Sequence, residues 1–535
     1  MKESEATPLL CEEGNRSEES CNRAGNIGRQ EEESYAETTW WKKPSVYWLL
    51  PPFFLYAMAV GGVLVSKLNL ILYLSCRNYL IRKFPNDPTL ILPVISGKNP
   101  QCQIPEIQSL SVEFTLYMTI VTGILSAFIS PRLGTWSDRY GRLGALTVVS
   151  FGALVADLLI ILLANYPDTL NYRWLLLSSL IDGVCGSFTA GFAITHAYAA
   201  DCTAPLKRAM AFGYFHASLF LGIAIGPLLA ALLVAHTHSL VSVFYAAVSF
   251  HFFFIIIVSL IIPESLTKER RQRIQAKYME TEVQKMAPTT KLNIFRYKLD
   301  FISPFRIFFP RDPNGSFKVR INLICLSFID AIVTGITLSA TTVTIYYLSY
   351  QYDLSPAQQG IFTSTINICR FCALLFIPRA CRKIIRAKHV SLPANSCNPF
   401  RVHSDCGSYS LELLIIRSGV FFETLGYIGF ATAWKSSIFV LAGIVGSMGS
   451  IASPTLKSAM TKHVPPDQVG QLLGSMGFLH SIMRVLCPFL INLVYAITVG
   501  TFSQVVFIVL ACCLGAAFLL SLSAKNISKM PYFDL

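Results

Sequence analysis

The chain has 535 residues, of which 53% are apolar and 14% charged, and its mean hydropathy is +0.51. Soluble domains carry about 25% charged residues, so the composition excludes a soluble multi-domain enzyme, a disulfide-rich secreted module and a disordered scaffold. The net charge of +13 marks no nucleic-acid partner. Most Lys and Arg fall on one side of the apolar spans, the positive-inside asymmetry of a cytoplasmic face, and no continuous basic face with interleaved aromatics is present.

Residues 1–46 are polar and acidic, with Glu31, Glu32 and Glu33 in a row, and predict a disordered cytoplasmic tail rather than a secretory signal. Within it Glu5, Leu9 and Leu10 fit the acidic dileucine sorting pattern. That pattern calls for adaptor proteins and favours a vacuolar or lysosomal membrane over the endoplasmic reticulum or plasma membrane. Trp40, Trp41, Lys42 and Lys43 then mark a headgroup interface.

Apolar spans follow at about 47–74, 112–133, 143–164, 173–200, 212–235 and 240–262. After a basic stretch, six more run at about 318–349, 357–378, 411–433, 436–460, 468–496 and 500–523. An open sheet cannot satisfy its backbone in lipid, so the expected fold is all-α, with twelve transmembrane helices and both termini cytoplasmic. Residues 47–263 form an N-terminal six-helix bundle, 264–317 a basic cytoplasmic loop, 318–523 a C-terminal bundle and 524–535 a cytoplasmic tail. The halves repeat one another. Pro205, Gly213 and Pro227 match Pro466, Gly474 and Pro488 at one constant offset, and 184–187 resembles 444–447. Such repeats place a solute site between the halves near mid-membrane.

Between spans two and three stand Gly134, Asp138, Arg139, Gly141 and Arg142, spaced G-x-x-x-D-R-x-G-R. This loop resembles the signature of the major facilitator superfamily, except that Leu143 replaces its last basic residue. The resemblance implies a cytoplasmic latch that holds an outward-open state. A turn this short needs glycine, and Asp138 can face a helix start in the other half. In span five, Gly213, Gly222, Gly226 and Pro227 resemble the superfamily's antiporter motif, with Ala230 and Ala231 in place of its final glycines. Pro263, Glu264 and Ser265 also look like these transporters. The chain is most similar to the drug:proton antiporter and tetracycline-efflux-like group, with fungal and plant vacuolar relatives and the proton-coupled folate transporters nearby. The second half lacks a good copy of the latch loop, replaced by a longer segment from 379 to about 409 that is basic at first.

A charge at mid-bilayer costs at least ~2.5–3.5 kcal/mol, so each one calls for a reason. Asp157, Asp182, Asp330, Arg370, Glu423 and Arg484 lie about ten residues into their spans, near the midplane. In this fold Asp182 and Asp330 face the path from opposite halves, and one of them is expected to carry the exchanged proton. Arg370 and Arg484 flank it as counter-charges or anion anchors. Asp157 and Glu423, on outer helices, are expected to be structural or coupling carboxylates. His196, His216, His251 and His480 are read as packing histidines, with a proton relay as the sharper alternative. His236 and His238 give only a slight metal hint, and no metal site is assigned. Cys76 and Cys102 share the long outer loop and are a possible disulfide. Cys369 and Cys372 lack the second pair of a zinc site. Cys397 and Cys406 face the reducing cytosol, and the sequons at Asn15, Asn314 and Asn526 fall on the cytoplasmic side, where none is expected to be glycosylated.

No phosphate-binding loop or catalytic constellation is present. The expectation is therefore a secondary transporter, not an enzyme, acting as a monomer on a small organic solute and protons. Its energy source is a proton gradient, with no cofactor, and antiport is preferred. Symport of an organic anion and a non-transporting receptor or scaffold are the alternatives.

Overall fold

Lipid offers no partner to an unpaired backbone amide, so a chain this apolar resolves into helices that satisfy their own hydrogen bonds. The computed structural model describes residues 42–83, 105–204, 207–285, 317–352, 354, 356–390, 402–464, 468–498 and 501–524. Among these, 12 helices are long and apolar enough to cross a membrane. Spans one to six are Val46–Lys83, Glu113–Tyr140, Arg142–Asn165, Tyr172–Asp201, Arg208–Thr237 and Val241–Leu260. Spans seven to twelve are Arg320–Tyr352, Gln358–Ala380, Tyr409–Thr432, Ser436–Thr461, Val469–Tyr495 and Val505–Ser523.

The apolar core divides for the most part as the sequence repeat does, although Val469 and Leu473 of span eleven join a first-half cluster and Ala217 of span five packs with Leu374, Ile415 and Ile451. One cluster gathers Leu326, Val343, Tyr347, Phe439, Leu456 and Phe507 from the last six spans. Two others gather Phe53, Leu146, Tyr198 and Phe215, and Leu74, Phe114, Ile160 and Phe244, from the first six. Large apolar side chains such as Leu232, Phe252, Leu260 and Leu519 stay exposed on the outside, as a lipid-facing surface requires.

Two spans are broken at mid-depth. Span four consists of helices Leu175–Val184 and Ser187–Asp201, separated at Gly186, whose φ of 94° is left-handed. Span ten passes from helix Ser436–Ser447 through a 3-10 turn, Met448–Ile451, into Ala452–Thr461. The repeated stretches 184–187 and 444–447 lie at these two breaks.

The halves meet along two seams, spans two with eleven and five with eight. The basic stretch after span six begins with a helix, Lys268–Lys285, packed against span two.

Candidate functional site

At mid-depth, one polar network joins five spans of both halves. Asp330 on span seven has no solvent exposure. Its carboxylate accepts from His480 Nε2 on span eleven at 2.8 Å and from Ser453 Oγ at 3.3 Å, and Lys457 Nζ lies 3.4 Å away. Lys457 also donates to Ser453 Oγ at 2.7 Å. Across the seam, His216 Nε2 on span five lies 3.4 Å from Ser453 Oγ, and His216 Nδ1 lies 3.3 Å from His196 Nε2 on span four.

Backbone carbonyls fix the tautomers. His196 Nδ1 meets the Phe192 carbonyl at 2.7 Å and His216 Nδ1 meets that of Phe212 at 3.0 Å. A carbonyl only accepts, so both Nδ1 atoms carry hydrogen and both Nε2 atoms of the neutral rings are acceptors. Ser453 has one hydroxyl proton and two acceptors for it, Asp330 in its own half and His216 in the other. Three of the four histidines therefore join Asp330 in one chain. The fourth, His251, lies 3.4 Å from Asp157 Oδ2.

Asp182 sits in a separate group. It is half-buried just before the break in span four and accepts from Ser187 Oγ at 2.8 Å. Arg484 on span eleven donates to the same Ser187 oxygen at 3.3 Å. Lys67 on span one has Asp182, Asp157 and Arg484 as its charged neighbours. Glu423 is buried, accepts from Thr337 Oγ1 at 3.4 Å and has Arg370 as its charged neighbour. The Arg370 guanidinium lies 5.3 Å from the Phe220 ring of span five, across the other seam.

The latch is assembled as a lock between spans two and eleven. Asp138 accepts from the Gly470 and Gln471 N–H groups at 3.0 and 2.7 Å, at the buried start of span eleven. Arg142 is wholly buried, pairs with Asp138 and with Asp201 at 2.8 Å, and donates to Ser137 Oγ at 2.8 Å. A Cβ on Gly134 would fall 2.4 Å from the Gly470 carbonyl oxygen, so only glycine permits this approach. Gly141 takes a φ of +119° to turn the chain into span three. Glu264 caps that helix, accepting from the N–H groups of Arg142 and Leu143 at 2.9 and 3.2 Å. Arg139 turns away, its guanidinium 3.2 Å from the Tyr278 ring of the basic helix, whose Gln275 and Arg271 donate to the Arg139 and Tyr140 carbonyls.

The second half closes differently. Glu412 near the start of span nine accepts from Lys462 Nζ and Ser458 Oγ, both at 2.8 Å. Arg208 at the start of span five reaches Thr461 Oγ1 at 3.4 Å, and Arg379 reaches the Tyr214 hydroxyl at 3.2 Å.

In span five, Gly222 and Gly226 lie against the backbone of span one at Ala57, Met58, Gly61 and Gly62, Pro227 sits within the helix, and Gly213 stands clear. Cys76 is buried within the span-one helix rather than placed in the outer loop and is disulfide-bonded, and Cys102 lies outside the described residues. Glu5, Leu9, Leu10, Cys397, Asn15, Asn314 and Asn526 also lie outside them. Cys369 and Cys372 are free, His236 and His238 are exposed, and no group of three metal-ligating residues occurs among the described residues. Lys67, Lys457 and Glu412 are functional candidates that the sequence did not single out. Their signal was the same as that of the other charges, an ionisable residue inside an apolar span.

The sequence profile of the Major Facilitator Superfamily matches residues 92–394. The MFS-type transporter avaJ of Aspergillus versicolor is 29% identical over 509 residues, covering 94% of this chain and 93% of its own. The class C tetracycline resistance protein of Escherichia coli is 24% identical over 420 residues, covering 78% of this chain and 89% of its own. Among solved structures, the human organic anion transporter MFSD10 (TETRAN) superposes with a TM-score of 0.63 at 17% identity, over 90% of this chain and 100% of its own.

Proposed function

This chain belongs to the major facilitator superfamily of transporters, and we propose that it moves a small organic solute across a membrane in exchange for protons. The observation that carries the coupling is the Asp330 network. A carboxylate that is fully buried between spans seven, ten and eleven is contacted, through one serine, by a histidine pair of the other half. Rocking of the halves separates His216 from Ser453, and the Ser453 hydroxyl then commits its proton to Asp330. A proton on Asp330 weakens its hold on Lys457 and His480, so protonation and the interhalf contact are linked. The similarity to a tetracycline resistance protein and the span-five glycine motif support exchange. On the positive-inside rule the latch side is cytoplasmic, and the dileucine residues Glu5, Leu9 and Leu10 support a vacuolar or lysosomal membrane.

Reconstitution in liposomes with an imposed pH gradient, screened with dyes and drugs, tests the coupling. One proton exchanged per solute gives about tenfold accumulation per pH unit. Asp330→Asn is expected to abolish that accumulation while solute-for-solute exchange continues. Gradient-driven accumulation by Asp330→Asn at the wild-type level would refute the assignment, and solute moving in the direction of the protons would replace antiport with symport.

A further inference from the structure

Buried acids of this molecule are met by basic groups, with one exception. Arg142 pairs with Asp138, Lys457 with Asp330 and Lys462 with Glu412, and His251 lies 3.4 Å from Asp157. Glu423 on span nine is equally buried, at 6% exposure. Among the described residues no Lys, Arg or His lies within ion-pair distance of it. Its hydrogen-bond partner is Thr337 of span seven. That hydroxyl has one proton and two acceptors for it, the Val333 carbonyl at 2.9 Å and Glu423 Oε1 at 3.4 Å. The nearer carbonyl holds the larger share. An ionised Glu423 would have one long, shared hydrogen bond to offset its loss of water, far less than a buried charge requires. A neutral acid needs no cation and brings a proton of its own to the contact.

Groups that could answer a charge on Glu423 stand off. Arg370 of span eight, its charged neighbour, is beyond ion-pair distance and lies 5.3 Å from the Phe220 ring. Tyr427, one turn along span nine, is buried, and Cys512 and Cys513, the titratable residues of span twelve, are exposed. From span ten Glu423 meets the break itself. A Cβ on Gly449 would fall 2.6 Å from Glu423 Cβ and 2.8 Å from the Gly419 carbonyl oxygen, so the 3-10 turn Met448–Ile451 lies directly on span nine. Ser450 donates to the Arg370 carbonyl at 3.4 Å, and Ile451 packs with Ala217 of span five in the other half. Two residues further on, Ser453 makes its contacts with Asp330 and His216. The turn therefore runs from Glu423 to the network that joins the halves.

We propose that Glu423 is a second proton-binding residue, protonated in this conformation, and that its ionisation lifts the span-ten turn. Once ionised it needs water or a cation at close range, and the turn packed on it must move to admit either. That movement displaces Ser453 from between Asp330 and His216. Glu423 thus acts on the Asp330 network as a positioning residue, through the backbone of span ten. The bound proton stands on this geometry alone, while its part in transport rests on the exchange proposed above.

Infrared difference spectra of the full-length protein in detergent test the bound proton. At neutral pH the wild type is expected to show a carboxylic-acid C=O band that Glu423→Gln lacks and that Thr337→Val shifts. Hydrogen exchange read by mass spectrometry tests the turn. The amides of 448–453 should be equally protected in the wild type and in Glu423→Gln at neutral pH. At alkaline pH they should exchange faster in the wild type, gaining on the variant by about tenfold per pH unit once Glu423 ionises. The absence of any acid band that Glu423→Gln removes or Thr337→Val moves overturns the proposal. So does a turn that exchanges alike in the wild type and Glu423→Gln at every pH. Neither measurement involves transport, so either failure is distinct from a failure of proton exchange.

Discussion

Arg142 and Glu412 hold corresponding places in the two halves with opposite charge. Arg142 opens span three and pairs with Asp201 at the end of span four. Glu412 lies in the first turn of span nine and pairs with Lys462 just past span ten. The lock in each half needs only opposite signs at these two places, which is why no second copy of the signature loop is visible in the sequence. Lys462→Ala would leave Glu412 buried with Ser458 alone, a loss of about 3–5 kcal/mol by the usual cost of breaking a buried pair. The expected outcome is a clear fall in unfolding temperature in detergent, partly recovered when Glu412→Lys is combined with Lys462→Glu. No fall with Lys462→Ala would mean that the pair contributes nothing to holding the fold. Other charges differ in how far the sequence reveals them. Asp182, Asp330 and Arg484 stand alone in apolar runs and are visible at once. Lys457 lies one turn from the end of its span, where a long amine is expected to reach outward to the headgroups. It turns inward instead because Asp330 is there. His196, His216 and His480 lie on three different spans, and their meeting depends on inter-span register, which no periodicity within one span encodes.

At the scale of helices, the span-five glycines divide into two kinds. An added Cβ on Gly222 would fall 2.7 Å from Ala57 Cβ, and on Gly226 it would fall 2.5 Å from the Met58 carbonyl oxygen. On Gly213 it would come no nearer than 4.0 Å to anything, the Leu374 carbonyl oxygen. Small residues let two membrane helices approach until their backbones touch, and here spans one and five do so. Gly226→Leu is therefore expected to cost at least about 1–3 kcal/mol and to lower the yield of monodisperse protein. Gly213→Ala should be tolerated, and even stabilise by roughly 0.4–1 kcal/mol through the unfolded chain. Equal behaviour of the two variants in size-exclusion and unfolding assays would contradict this division. The number of the helices and most of their limits are legible in the sequence because hydropathy and span length determine them. Spans one and two, however, run on to Lys83 and Tyr140, beyond the apolar runs that end at 74 and 133, so that Gly134, Asp138 and Arg139 lie in the span-two helix rather than in a loop. The breaks in spans four and ten are not legible, because a glycine in an apolar run reads as a packing residue. Only the repeat of 184–187 at 444–447 signals that these two places are special.

For the whole molecule, spans two and eleven touch from the latch inward. Asp138 holds the start of span eleven, Gly134 faces Gly474, Ser130 donates to the Gly474 carbonyl at 3.3 Å, and the Ser126 and Ser481 hydroxyls lie 3.1 Å apart. Gly123 against Val485 ends the series. A molecule closed on this side opens to it only if the whole seam parts, since its rows of small residues leave no room for a partial slide. The Ser126–Ser481 contact lies deep in the seam, so it must break in every cycle. Ser126→Cys combined with Ser481→Cys, in a background cleared of reactive native cysteines, places two thiols where oxidation can join them. The joined protein is expected to lose transport in liposomes and to regain it on reduction, while either single variant transports in both conditions. Transport that persists with the cross-link complete would show that solute crosses without separation of spans two and eleven.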